Sequence, residues 1–113
     1  MFNNNICIIG GAGHVGAPLG LAFSSKGFNV ILLDKNNKHI KQINQSKMPF
    51  IEEGCDKLLK KMINKRRIFA TNNLNEVKRC KYLVICLGTP VNKKFMLCVF
   101  FMDANILEFG LYY

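Results

Sequence analysis

The stretch ICIIGGAGHVGAPLGLAFSSKGFNVILLD, Ile6 to Asp34, decides how this chain folds. It opens on Ile6-Cys7-Ile8-Ile9, a short apolar run without polar alternation, the pattern of a strand buried on both faces. A glycine turn follows, Gly10-Gly11-Ala12-Gly13-His14-Val15-Gly16. The next segment reads as a helix to about Lys26, then a second apolar run, Val30-Ile31-Leu32-Leu33, closes on Asp34. Gly11, Gly13 and Gly16 stand at the spacing G-x-G-x-x-G, which alone is a weak signal. Here a strand precedes the motif, a helix follows it, and an acid stands 21 residues after Gly13. That context is the one a dinucleotide-binding turn requires.

Each residue type has a physical role in this reading. Gly11 permits the tight turn out of the strand, Gly13 lets backbone approach a pyrophosphate, and Gly16 lets the helix pack close on the sheet. The amides around His14 and Val15 open the helix, whose unpaired N–H groups and positive dipole end favour a phosphate. Asp34, at the carboxyl end of the second strand, accepts hydrogen bonds from both hydroxyls of an adenosine ribose. A carboxylate there repels a 2′-phosphate, so NAD is expected over NADP, with Lys35 beside it as the counter-indication. The competing reading, a glycine turn that binds no nucleotide, is opposed by the agreement of strand, turn, helix, strand and acid.

Working outward, the first helix carries Val15, Leu19, Ala22 and Phe23 at helical spacing, predicting one apolar face toward the sheet. Gly27 is placed to end it. Asn36 or Asn37 is placed to cap a helix to about Gln45, with Ile40 and Ile43 inward. Pro49 breaks the chain before a second amphipathic helix, about Cys55 to Asn64, bearing Leu58, Leu59, Met62 and Ile63. Ile68 to Thr71 reads as a third strand, Leu74 to Arg79 as a short helix capped by Asn72 or Asn73, and Tyr82 to Leu87 as a fourth strand. Such alternation predicts an α/β, Rossmann-type, doubly wound parallel sheet, truncated at about four strands. Gly88-Thr89-Pro90 is expected to turn at the carboxyl end of the fourth strand, where Thr89 offers a hydroxyl and an amide to the cofactor. Residues 1–92 are expected to form a partial NAD-binding domain, and 93–113 a divergent apolar tail. Phe95 to Met102, eight apolar residues with no partner element after them, reads as an aggregation liability. Glu52 and Glu53, adjacent on one loop, do not converge as an acid–base pair.

The 113 residues hold 16 Lys and Arg against 7 Asp and Glu, a formal charge of +9. The basic residues are scattered, and their densest group (Lys57, Lys60, Lys61, Lys65, Arg66, Arg67) reads as a solvated helix face and helix end. Neither nucleic acid nor a membrane is therefore expected as a partner. Five cysteines, Cys7, Cys55, Cys80, Cys86 and Cys98, form no C-x-x-C pair and no metal spacing, which fits a reducing cytoplasm. No apolar run approaches the about 18 residues of a membrane span.

Four pieces, in order, carry a resemblance: Ile9-Gly10-Gly11-Ala12-Gly13-His14-Val15-Gly16-Ala17-Pro18-Leu19-Gly20, Leu33-Asp34, Met48-Pro49-Phe50-Ile51-Glu52-Glu53-Gly54, and Ile85-Cys86-Leu87-Gly88-Thr89-Pro90. Together they resemble the amino-terminal part of the UDP-glucose/GDP-mannose (nucleotide-sugar) 6-dehydrogenases, with wording nearest the UDP-N-acetyl-mannosamine members. The resemblance implies an NAD-dependent, two-step oxidation of a sugar C6 alcohol to a uronate, in polysaccharide biosynthesis. It assigns cofactor contacts to Gly11, Gly13, His14, Val15, Gly16, Asp34 and Thr89. His39 stands where the family usually has Lys or Arg against the adenosine ribose. The family's catalytic cysteine, lysine and asparagine lie far downstream, and none of the five cysteines here has the matching setting, so no catalytic residue is assigned. The expected function is that of an NAD-binding fragment, inactive alone, whose full-length parent takes a UDP-sugar and is open to oligomerisation. The alternative is a non-catalytic NAD-sensing module.

Overall fold

The structure, a computed structural model, describes residues 4–50, 53–91 and 94–103, and from 87 onward the backbone alone. In chain order the elements are β1 (Asn5–Ile9), α1 (Gly16–Ser25), β2 (Asn29–Leu33), α2 (Asn37–Asn44), α3 (Cys55–Asn64), β3 (Ile68–Thr71), a 3-10 helix (Leu74–Arg79), β4 (Tyr82–Val91) and β5 (Lys94–Asp103). They build one sheet in the order β3-β2-β1-β4-β5. The first four strands are parallel, as the continuous apolar runs predict, with Ile9 facing Leu33 on one side and Ile85 on the other.

Successive strand residues point to opposite faces, and the sheet is buried on both. Ile6, Ile8, Val30, Leu32, Ile68, Ala70, Val84 and Cys86 meet Ala17 and Leu21 of α1, Ile43 of α2, and Leu59 and Met62 of α3. On the other face Cys7, Ile31, Leu33 and Leu83 pack with Cys80, which ends the 3-10 helix. Asn36 caps α2 by accepting from the His39 amide at 3.1 Å, and Asn73 caps the 3-10 helix through the Asn75 amide.

Two expectations change. The inward face of α1 is Gly16, Ala17, Gly20, Leu21 and Ser24, whereas Ala22 is exposed and Val15, Leu19 and Phe23 are only half-buried. This helix is apolar nearly all round, so spacing alone selects no face. Close approach to the sheet selects the smallest residues: a Cβ on Gly20 would sit 2.5 Å from Leu32 Cδ2.

The second change concerns β4, which does not end at Leu87. It runs through Gly88-Thr89-Pro90 to Val91 and pairs antiparallel with β5, from Tyr82 opposite Asp103 to Val91 opposite Lys94. The apolar run Phe95 to Met102 thus finds its backbone partner before it in sequence, and the sheet has a fifth, antiparallel strand.

Candidate dinucleotide-binding site

The sheet order reverses direction between β1 and β4, and ligands of such sheets bind beyond the carboxyl ends at that switch point. Here β1 gives way to the glycine turn. The amides of Gly10 and Gly11 both donate to the Leu33 carbonyl, at 2.9 and 3.1 Å, fastening the turn to the end of β2. Gly10 has φ +77°, and a Cβ on it would run into the Cys86 carbonyl of β4. A Cβ on Gly16 would run into the Gly10 carbonyl and lie 2.8 Å from Gly11 Cα, so glycine is what allows α1 to start against the turn.

Gly13 differs. A Cβ there meets only the Gly10 carbonyl, at 3.3 Å, so little in the protein itself demands glycine. Beside it, among the described residues, the amides of His14, Val15 and Gly16 meet no backbone acceptor, the normal state of a helix N-terminus.

Asp34 is held by both oxygens. Its Oδ2 accepts from the Ala12 amide at 3.0 Å and its Oδ1 from the Asn36 amide at 3.0 Å. The carboxylate therefore stands at the glycine turn with lone pairs to spare. His39 Nδ1 lies 3.2 Å from the Ala12 carbonyl. A carbonyl only accepts, so Nδ1 carries a proton and donates. Ala12 thus joins the acid through its N–H and His39 through its C=O.

An aromatic cluster stands at the same turn. The exposed His14 ring stacks on Phe50, centroids 3.5 Å apart and planes at 24°, and Phe50 meets His39 edge-on at 5.2 Å. Asp56 steadies the Phe50 loop by accepting from the Met48 amide at 2.8 Å.

Gly11, Gly13, His14, Val15, Gly16, Asp34 and His39 come together in this way. Thr89 lies on β4, beyond Ile85, the last residue paired with β1, and its side chain is outside the described residues. Of the loop Met48 to Gly54, Ile51 and Glu52 also lie outside them. Sequence reasoning missed Gly10, Ala12 and Phe50. The doubled Gly10-Gly11 was a readable signal for the first, and Phe50 stood within the Met48 to Gly54 piece of the family resemblance; Ala12 acts through its backbone and left none.

A parallel sheet in this order, with a glycine turn at its switch point and an acid ending the next strand, defines a Rossmann dinucleotide-binding domain. The residues fit such a ligand: a glycine the protein does not itself need, amides without a backbone acceptor beside it, and a carboxylate anchored to the turn at the end of the second strand.

The chain belongs to the UDP-glucose/GDP-mannose dehydrogenase family, whose NAD binding domain model matches residues 4–106. NAD is the cofactor of that domain. The chain is 33% identical over 101 residues to the GDP-mannose 6-dehydrogenase of Pseudomonas savastanoi pv. phaseolicola, covering 88% of this chain and 23% of that protein. It is 29% identical over 82 residues to the UDP-N-acetyl-D-mannosamine dehydrogenase of Pyrococcus horikoshii, covering 73% and 20%. Among solved structures, a ternary complex of GDP-mannose dehydrogenase from Pseudomonas aeruginosa superposes with a TM-score of 0.73 at 32% identity, over 93% of this chain and 23% of that one. The chain spans about 10% to 23% of the length of the curated relatives it matches.

Proposed function

We propose that this chain binds the adenosine half of NAD at the glycine turn and presents the cofactor to a protein that oxidises the C6 alcohol of a nucleotide sugar to a uronate for polysaccharide synthesis. The observation that carries the reading is the Asp34 carboxylate, tied to the turn through Ala12 N–H at 3.0 Å. In that position it takes the ribose hydroxyls, while the amides of His14, Val15 and Gly16 take the pyrophosphate, which Gly13 admits. His39, fixed by its Nδ1–H on the Ala12 carbonyl, serves the adenosine side in place of the Lys or Arg usual there. Thr89 contributes from the neighbouring strand. NAD, when bound, accepts hydride.

Among the described cysteines, Cys7, Cys80 and Cys86 are buried and Cys55 is half-buried at the start of α3, so the role read for these residues is binding. Those free thiols suit a reducing cytoplasm. The UDP-sugar, the catalytic residues and any subunit contacts are those expected of a full-length member of the family, and residues 1–92 carry the cofactor-binding part.

Calorimetric titration with NAD, and separately NADP, tests this. Saturable binding that prefers NAD is expected, and Asp34→Ala should weaken it by about 1–3 kcal/mol, the cost of unmatched hydroxyls. Equal affinity for both cofactors, or an unchanged Asp34→Ala titration, refutes the ribose assignment.

A further inference from the structure

A cavity lies at the opposite end of the sheet. Asn5 and Asn29 begin β1 and β2 and are register partners, so they mark the amino ends of the parallel strands. The glycine turn and Asp34 lie past the carboxyl ends, a strand length away, about 16 Å at the usual rise per residue. Beside these asparagines is a cavity of about 310 Å³, lined also by Arg66, Arg67, Arg79 and Phe69.

Its walls are built with arginine. Arg67 Nη1 donates to the Gly27 carbonyl at 2.9 Å, which fixes that guanidinium at the rim. Arg79 pairs with Glu76 at 2.8 Å, and its own carbonyl accepts from Asn5 Nδ2, also at 2.8 Å. Asn29 Nδ2 in turn donates to Asn5 Oδ1 at 3.2 Å. Among the described residues one acid, Glu76, stands near these three guanidiniums, so the described lining carries a net positive charge. Phe69 is 37% exposed, one of two large apolar side chains left open among the described residues.

Arg66 is the informative residue. Its φ is +56°, in the left-handed region, and its amide donates to Ile63 O while the Arg67 amide donates to Met62 O. These are the paired bonds of a helix end that normally places glycine at this position. An arginine there accepts an unfavourable backbone, a cost seen most often where the side chain has a task. Among the described residues its guanidinium has no polar partner.

We propose that this cavity binds a phosphate-bearing small molecule, the phosphate held by Arg66, Arg67 and Arg79 with the asparagine amides, and a planar moiety resting on Phe69. Guanidinium forks match phosphate oxygens in pairs, and arginine stacks beside aromatic rings. The site is independent of the NAD site.

The test is an NMR titration of the isotope-labelled 113-residue chain at about 0.15 M salt, where weak surface attraction is screened. Inorganic pyrophosphate and uridine monophosphate are the probes. The side-chain amides of Asn5 and Asn29 report this cavity, and the backbone amides of Gly13 to Gly16 report the NAD site. Saturable shifts of Asn5 and Asn29 are expected. Tighter binding of the uridine nucleotide would mark the Phe69 platform as used; equal binding would mark a site for phosphate as such. Arg66→Gly, which suits the left-handed backbone and so keeps the fold, should weaken binding about tenfold, the order of one charged hydrogen-bonding pair. Arg66→Lys should restore part of it, and NAD affinity should not move in either variant. Shifts confined to Gly13–Gly16, or an Arg66→Gly affinity equal to the parent, overturn the proposal. So does a single-stranded RNA oligomer that shifts these amides when neither small anion does.

Discussion

A methyl group added at Gly16 would run into the Gly10 carbonyl, whereas one added at Gly13 meets that same carbonyl at 3.3 Å and little else. The two glycines of one motif therefore fail differently. Gly16→Ala should lower stability by about 1–3 kcal/mol through overpacking against backbone, read as a shift of the urea midpoint. Gly13→Ala should leave that midpoint nearly in place and weaken NAD binding at least about tenfold, since the methyl occupies the space of a pyrophosphate oxygen. The buried thiols give a pH signature. A hydrogen bond with Cys80, and then burial, push the Cys7 thiol far up from its ordinary 9.0, and burial pushes Cys86 up as well; Cys80, pulled down by the same bond, offsets part of this. A raised folded value means the folded chain keeps protons that the unfolded chain releases. The contribution of Cys7 and Cys86 is therefore full below about pH 9 and is lost above it, by up to about 1.4 kcal/mol per pH unit for each, whereas that of Cys80 is lost as the pH falls below about 9. Urea unfolding between pH 8 and about 10.5 checks the slope, which Cys7→Ala should flatten.

At the scale of elements, the helix ends were the most legible part of the chain and also the place of its least regular chemistry. Asn36, Asn73 and Gly27 were readable because caps and left-handed ends depend on residues next to one another. Ser46 and Arg66 fill the same left-handed position at the ends of α2 and α3 without being glycine, and nothing local announces it. Arg66→Gly should stabilise the fold by about 1 kcal/mol, a rise in the thermal midpoint that tests the strain separately from any ligand. The face of α1 was illegible for another reason. Where a helix is apolar all round, the buried side is chosen by which residues are small enough to let the sheet approach, and that depends on Leu32, reached only through the fold. Phe50 belongs with it: its partners His14 and His39 are distant in sequence and meet only once the loop before α3 folds back.

For the molecule as a whole, the parallel core and the cofactor site were readable from continuous apolar runs and one glycine pattern, while the fate of the last strand was not. An apolar run has no preference for what precedes or follows it, and β5 turned back on β4. Being last in the sheet order, β5 has no strand on its other side among the described residues. An edge of that kind invites pairing between chains. Val99→Lys, a charge in the middle of that edge, should reduce light scattering at fixed concentration and leave NAD binding unchanged; equal scattering would place the association elsewhere.

The same hairpin bears on the order in which the chain organises itself. β4 and β5 are separated by two residues, whereas Asn5 must find Asn29 across a helix and Ile6 must find Tyr82 across most of the described length. Short loops close in microseconds, and distant parallel pairings wait on the entropy of bringing their ends together. The hairpin is therefore positioned to form early and to offer β4 already straightened. The slow event is the arrival of β1 between β2 and β4, and it is that arrival which brings Gly10 against Cys86 and completes the cofactor turn.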